Sequence, residues 1–343
     1  MRRRTLLAGL TAGLAAAGAP PALAGGHRVL HVRPGDSVQA AVDAVTGPGR
    51  TIVVHPGTYR EVVKVPAEAA GLTLRGATRD PRDTVIVFDR ANGTQKPDGS
   101  GTYGTAGSAT FTSEAPGLTV RDLTLANDWL RADHPEITGT QAVAACTYGD
   151  RTHFDNVRLL AHQDTLFVET TALDAFDRQY FHRCYIEGDV DFVFGRATAV
   201  FDHCHFHTLQ RQVDFVPKGM VFAPSTARAN PHGILAVRSR VTSGAEDGAY
   251  KLARPWVPSY ETTAWPSLVV RDTWIGPGID PVTPYTNMRE AYPWQTMRFA
   301  EYANTGPGAA VTVPENRPQL SAEQAGSHTA RAYLGDWRPH GHP

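Results

Sequence analysis

A six-residue pattern recurs through the middle of this 343-residue chain and limits what it can fold into. The pattern is an apolar residue, two polar or Asx-type residues, then apolar, any, apolar. Val120-Arg121-Asp122-Leu123-Thr124-Leu125 is one instance, and residues 154–159, 181–186, 201–206, 236–241 and 270–275 repeat it. Successive instances start 34, 27, 20, 35 and 34 residues apart. The shortest interval is about one coil of a strand solenoid, and the longer ones are coils with inserted loops. A unit this short cannot bury its own apolar face, so neighbouring units must stack. Frequent Gly and Asn/Asp punctuation and few helical periods then predict an all-β chain, a right-handed parallel β-helix. A sandwich or propeller is the all-β alternative; uneven spacing and the lack of a blade signature count against a propeller. Residues 37–45 have helical periodicity and are expected to cap one end. After about residue 280 the chain becomes loop-rich, with a short helix expected over 321–326.

Composition narrows the setting. The first 24 residues read as an export leader: Arg2-Arg3-Arg4 at the start, an Ala/Gly/Leu run, and an Ala22-Leu23-Ala24 cleavage pattern with a twin-arginine look. The apolar run is too short and Gly-rich to span a bilayer comfortably. We expect a secreted, extracellular protein with one domain over residues 25–343, no membrane association after leader removal, and a monomeric state. Without the three leader arginines, 30 basic residues face 34 acidic ones, which argues against a nucleic-acid partner. Of three cysteines, Cys184 and Cys204 hold the same place in repeats 20 residues apart. Stacked coils lie about 4.8 Å apart, so a Cys184–Cys204 disulfide is predicted, with Cys146 a buried, inert thiol.

The chemistry is carried by Gln163-Asp164-Thr165-Leu166 and Asp191-Phe192-Val193-Phe194-Gly195. Carboxylates in such apolar strand contexts are costly to bury unless used or paired. Asp164 and Asp191 are 27 residues apart, about one coil once an insertion at 170–177 is set aside. Stacking brings them to one face, where one is held protonated as an acid and the other serves as base or nucleophile. A single aspartate in a β solenoid is usually an ordinary turn residue; two, beside glutamines, favour catalysis. Arg254 in Arg254-Pro255-Trp256 can hold one carboxylate ionised through a bidentate contact. Gln141 and Gln163 are neutral donors able to stabilise an oxyanion.

These residues lie within six motifs that, in order, make the chain similar to the pectin methylesterase (pectinesterase) family, bacterial secreted type. They are Gly57-Thr58-Tyr59-Arg60-Glu61, Gln141-Ala142-Val143-Ala144, Gln163-Asp164-Thr165-Leu166, Asp191-Phe192-Val193-Phe194-Gly195, Arg254-Pro255-Trp256, and the stretch from Phe299 to Gly308. The resemblance covers about residues 28–338. It implies a right-handed parallel β-helix and methyl-esterified homogalacturonan (pectin) as substrate, with no cofactor. It further implies Asp191 as nucleophile, Asp164 as general acid and then base, Gln141 and Gln163 as oxyanion donors, and Arg254 as the group orienting Asp191. Phe192 and Trp256 match aromatics of the sugar cleft. The chain departs from the family at Ala145 and Ala253, in the insertion at 170–177, expected at the cleft rim, and in a missing Gly-Trp pair whose place Tyr285 is expected to take.

Other classes fit less well. No Gly-x-Ser-x-Gly elbow exists for a serine esterase. The run His203-Cys204-His205-Phe206-His207 alternates faces along a strand and rarely closes a metal shell, so no metal is expected. A glycoside hydrolase using two aspartates, a calcium-dependent lyase, an inactive carbohydrate-binding solenoid, and a family esterase acting on a non-pectin ester remain the alternatives.

Overall fold

The computed structural model describes residues 29–339, so the expected leader lies outside the described residues. Among these, 25 strands form three sheets of ten, eight and seven strands, and every ladder between named strands pairs in parallel. Each central coil gives one strand to each sheet. Thr152–Asp155, Arg158–Leu160 and Leu166–Val168 make one coil; Arg178–His182, Tyr185–Gly188 and Val193–Gly195 make the next. The expected β-helix is thus the observed fold, with the right-handed sense that parallel crossovers take.

The repeat has a simple geometric meaning. Its first, fourth and sixth residues point inward: Phe154, Val157 and Leu159 are fully buried, as are Phe181, Ile186, Phe201 and Phe206. Register places Phe154 beside Phe181 and Phe181 beside Phe201, and the last two rings stack at 4.6 Å. The third residue turns the chain from the first sheet into the second. Asp122, Asn156, Arg183, His203, Arg238 and Asp272 all sit there with φ between 51° and 58°. This left-handed conformation suits Asx residues and strains the others.

A helix covers the N-terminal end of the solenoid. The helix Val38–Asp43 buries Val38 and Val42. Glu61, from the Gly-Thr-Tyr-Arg-Glu motif, accepts hydrogen bonds from the Val38 and Gln39 amides and the Ser37 hydroxyl at 2.7–3.0 Å, a charge that the helix N-terminus favours. Near the other end, Ala322–Gly326 starts with a Ser321/Gln324 capping box. A helix not foreseen, Ala330–Leu334, packs Tyr333 and Leu334 onto Tyr180, Val200, Leu235 and Val269 on the outside of the ten-stranded sheet.

The predicted disulfide does not form. Cys184 and Cys204 do stack, immediately before the aligned pair Tyr185 and His205, yet all three cysteines are free. The Cys184 thiol faces the carbonyls of His182 and Phe154 at 3.5 and 3.6 Å, and Cys204 faces that of Phe181 at 3.3 Å. In-register partners project side by side at the strand spacing of about 4.8 Å, whereas a disulfide draws its Cβ atoms to about 3.8 Å. Both thiols instead act as small core side chains. Cys146 is buried as expected, and burial pushes its thiol up to about 12.

Candidate active site

The seven-stranded sheet carries the site on its outer face. Leu166 and Val193 are aligned across neighbouring strands, so Asp164 and Asp191, each two residues earlier, hold equivalent positions on adjacent coils. Backbone bonds from Asp164 N to Val190 O (3.0 Å) and from Leu166 N to Phe192 O (2.9 Å) fix this register. Both aspartates are left-handed, with φ of 65° and 50°, at the corner where the chain enters this sheet. Gln141 lies one coil before Asp164, tied by Ala142 N to Gln163 O at 3.0 Å. Arg254 arrives two coils beyond Asp191, its amide bonded to Phe222 O at 3.1 Å. All five residues line one cleft of about 370 Å³.

Electrostatics separates the two acids. Arg254 grips Asp191 with Nε to Oδ1 at 2.9 Å and Nη2 to Oδ2 at 2.6 Å. Burial raises the Asp191 pKa, Arg254 pulls it back, and the net shift is upward. Asp164 has no such clamp: burial and the neighbouring Asp191 charge push it well above the usual carboxylate range. The cleft therefore pairs an acid that keeps its proton with a carboxylate poised to ionise. Gln163 Oε1 accepts the Thr140 hydroxyl at 2.7 Å, which leaves its amide N–H groups for the cleft. Gln141 Oε1 is buried without a partner, beside the space a substrate would fill.

A supporting ion pair went unassigned in the sequence. Asp189, 1% exposed, receives Arg131 in a fork at 2.5 and 2.8 Å, and His162 stands 3.5 Å away. Burial works to raise its pKa, but Arg131 and His162 outweigh this and hold it below the usual range. Its fixed negative charge adds to the upward push on both cleft aspartates.

The aromatic floor needs one correction. Trp256 lines the cleft as expected, but Phe192 is fully buried in the solenoid core. The left-handed corner at Asp191 resets the alternation, turning Phe192 and Val193 inward and Phe194 outward. Phe194 and Phe167 form the floor, stacked at 4.3 Å, with Trp256 at 5.7 and 5.9 Å from their ring centres. Their signal was in the motifs, since each lies three residues after a cleft aspartate. Tyr285 is also not in the cleft. It bridges to Ala253 as an inward strand position and its hydroxyl donates to buried Glu301 at 2.9 Å; Tyr260 and Met288 occupy the rim instead. The insertion at 170–177 does flank the cleft, walling an adjoining cavity. Among the described residues no three His, Cys, Asp or Glu side chains cluster as a metal site.

The pectinesterase family profile matches residues 34–336. A pectinesterase of Ralstonia solanacearum is 34% identical over 307 residues, covering 80% of this chain and 76% of that protein. Pectinesterase B of Dickeya dadantii is 34% identical, over 73% of this chain and 68% of that protein. Among solved structures, the pectin methylesterase of Erwinia chrysanthemi superposes with a TM-score of 0.78 at 29% identity, covering 90% of this chain and 98% of that one. That of Yersinia enterocolitica gives 0.77 at 31%, covering 88% and 99%. A pectin methylesterase in complex with a hexasaccharide matches equally, with a TM-score of 0.78 at 29% identity over 88% of this chain and 94% of that one. Profile, sequence and fold agree along nearly the whole described length, and the chain belongs to the pectinesterase family of carboxylic ester hydrolases.

Proposed function

We propose that this enzyme removes methyl groups from methyl-esterified galacturonate in pectin, with Asp191 as nucleophile and Asp164 as general acid and base. The observation that carries the assignment is the asymmetry of the pair: Arg254 clamps Asp191 alone, while Asp164 is the more strongly proton-retaining. An ionised Asp191 oxygen attacks the C6 carbonyl carbon, and the carbonyl oxygen becomes an oxyanion within reach of the Gln141 and Gln163 amides. As the carbon–methoxy bond breaks, Asp164 gives its proton to the departing oxygen and methanol leaves. Asp164, now a carboxylate, takes a proton from water, which attacks the acyl carbon. Asp191 is expelled as a carboxylate, the galacturonate acid is freed, and Asp164 is protonated again.

Phe167, Phe194 and Trp256 offer apolar faces to sugar rings while the aspartates address the ester. A polymeric substrate fits an enzyme acting as a monomer outside the cell, which agrees with the leader-like first 24 residues. No helix among the described residues is long and apolar enough to cross a membrane. Methanol release from highly methylated pectin, with no new reducing ends and no unsaturated product, tests the reaction. Asp191→Ala is expected to abolish it while leaving the circular dichroism spectrum unchanged. Appreciable turnover by that variant would overturn the nucleophile assignment.

A further inference from the structure

A groove of about 330 Å³ follows the corner where the ten-stranded sheet passes into the eight-stranded one, away from the catalytic sheet. Three successive corner residues, Arg183, His203 and Arg238, form one bank. The aligned strand residues Tyr185, His205 and Arg240 form the other. That ladder continues on one side to Arg158, whose guanidinium lies 5.3 Å from the Tyr185 ring. On the other side it reaches Trp274, a large apolar side chain left 42% exposed. Cationic and aromatic groups are thus interleaved along the eight-stranded face over about 19 Å, at the strand spacing of about 4.8 Å.

The backbone and the charges both mark this strip as built. The corners at 183 and 238 are left-handed, with φ of 52° and 51°, a conformation that suits Asx residues. Flanking coils use Asn156 and Asp272 at the same corner, whereas these two carry arginine and bear the strain. Strain of this kind concentrates where side chains are used. The carboxylates stand behind the cations. Asp155 holds Arg183, and Asp202, only 1% exposed, holds both His203 and Arg238. The three cationic side chains are themselves 58%, 53% and 41% exposed. Arg240 donates to His205 Nδ1 at 3.0 Å, and the other ring nitrogen of His205 meets Thr242 Oγ1 at 2.7 Å. Burial and the Arg240 charge push His205 down to about 4, so at neutral pH its Nδ1 accepts and steadies Arg240. Glu187, farther along the same strand, is engaged by the Tyr185 hydroxyl at 2.7 Å. Among the described residues no carboxylate lines the groove.

Guanidinium edges of this kind pair with carboxylates, and the faces of Tyr185 and Trp274 suit sugar rings. A row repeated at fixed spacing meets a linear polymer better than a compact ion. We propose that this strip is a second, non-catalytic binding surface for unesterified stretches of an acidic polysaccharide. Naming galacturonan as that polysaccharide rests on the pectin-esterase reading of the cleft. The enzyme then holds a finished, anionic segment at this corner while the seven-stranded sheet works on a methylated one.

The test uses the double variant Arg183→Asn/Arg240→Gln. Asparagine suits the left-handed corner, Asp155 keeps His182 at 3.0 Å, and Arg240 is exposed. Affinity electrophoresis through polygalacturonate at low salt should show binding weakened about 5-fold or more. Polyglutamate, which has the charge without the rings, should displace the wild type at least about 5-fold less well than free polygalacturonate. On methylated oligogalacturonides too short to span both faces, the variant should keep kcat and KM within about 2-fold of wild type. Trp256→Ala, which alters the cleft, should keep polygalacturonate binding within about 2-fold. Undiminished binding by the double variant, an equal loss in Trp256→Ala, equal displacement by polyglutamate, or a large fall in kcat on short substrates would each overturn the surface. Should the double variant not fold, Trp274→Ala removes an exposed ring, and unchanged binding by that variant would equally overturn the proposal. A wild-type enzyme that released no methanol from methylated pectin would instead sink the esterase reading, whichever polymer the strip holds.

Discussion

Asp164 and Asp191 share a left-handed backbone, adjacent coils and near-complete burial, and differ in one neighbour, the Arg254 fork. Lysine at 254 would supply a point charge without the two parallel donors. Arg254→Lys is therefore expected to lower kcat about 10- to 100-fold, the value of one charge-assisted hydrogen bond. Arg254→Gln removes the influence that lowers the Asp191 pKa, so the acid limb of its pH–rate profile should move to higher pH. An unmoved limb would show that Arg254 does not set the Asp191 charge. Asp164→Asn makes a second claim. An amide cannot protonate methoxide, so turnover should fall about 10²- to 10⁴-fold. Stability should move the other way. The folded-state pKa of Asp164 is raised, so its favourable contribution is complete below the ordinary carboxylate value near 4 and is lost as pH rises through the folded value. Asparagine also suits the left-handed φ of 65°. Asp164→Asn should thus melt higher than wild type at pH 7, with the difference closing below about pH 4. Parallel melting curves at both pH values check this.

The corner between the first two sheets is the element on which the coil depends, and one copy of it is badly filled. Ala303 follows the strand Arg298–Tyr302 at φ 51°, exposed and without a side chain that stabilises the left-handed turn. Ala303→Gly should remove that strain and raise stability by up to about 1 kcal/mol, after the entropy that glycine adds to the unfolded chain. Chemical denaturation of the two proteins decides it. The same corner explains what could be read from the sequence. Six copies were visible because their inward positions are apolar. The one at Ala303 was not, because its first inward residue is Glu301, satisfied by buried Arg317, Tyr285 and Asn304. Five polar site residues were legible because an ionisable or amide group in an apolar strand needs a use. Phe192 and Phe194 were not distinguishable, since a left-handed residue at 191 shifts the alternation and pattern alone does not reveal it. The cysteine pair failed for a different reason: adjacency was right, but parallel register holds side chains abreast rather than converging.

At the scale of the whole molecule, stability and catalysis are lodged on different faces of the solenoid. The cleft lies on the seven-stranded sheet, whereas the helix Ala330–Leu334 covers the outer face of the ten-stranded one. That outer face is unusually apolar for a solenoid exterior, with Tyr180, Val200, Leu235 and Val269 all buried by the C-terminal segment. Arg178 fastens the segment further, donating to Leu334 O at 2.9 Å and to Asp336 at 2.7 Å. Left uncovered, such a strip is a docking or aggregation hazard. Leu334 is fully buried, so Leu334→Ala should cost about 2–5 kcal/mol, through lost transfer energy and the cavity left behind. The coils between the two faces are rigid parallel ladders, and nothing in the cleft touches the helix. At 25 °C the folded variant should accordingly keep kcat and KM on methylated pectin within about 2-fold of wild type, although its denaturation midpoint falls. A large loss of kcat at a temperature where the variant is fully folded would mean that the ten-stranded face helps to set the register of Asp164 and Asp191, and the separation argued here would be wrong.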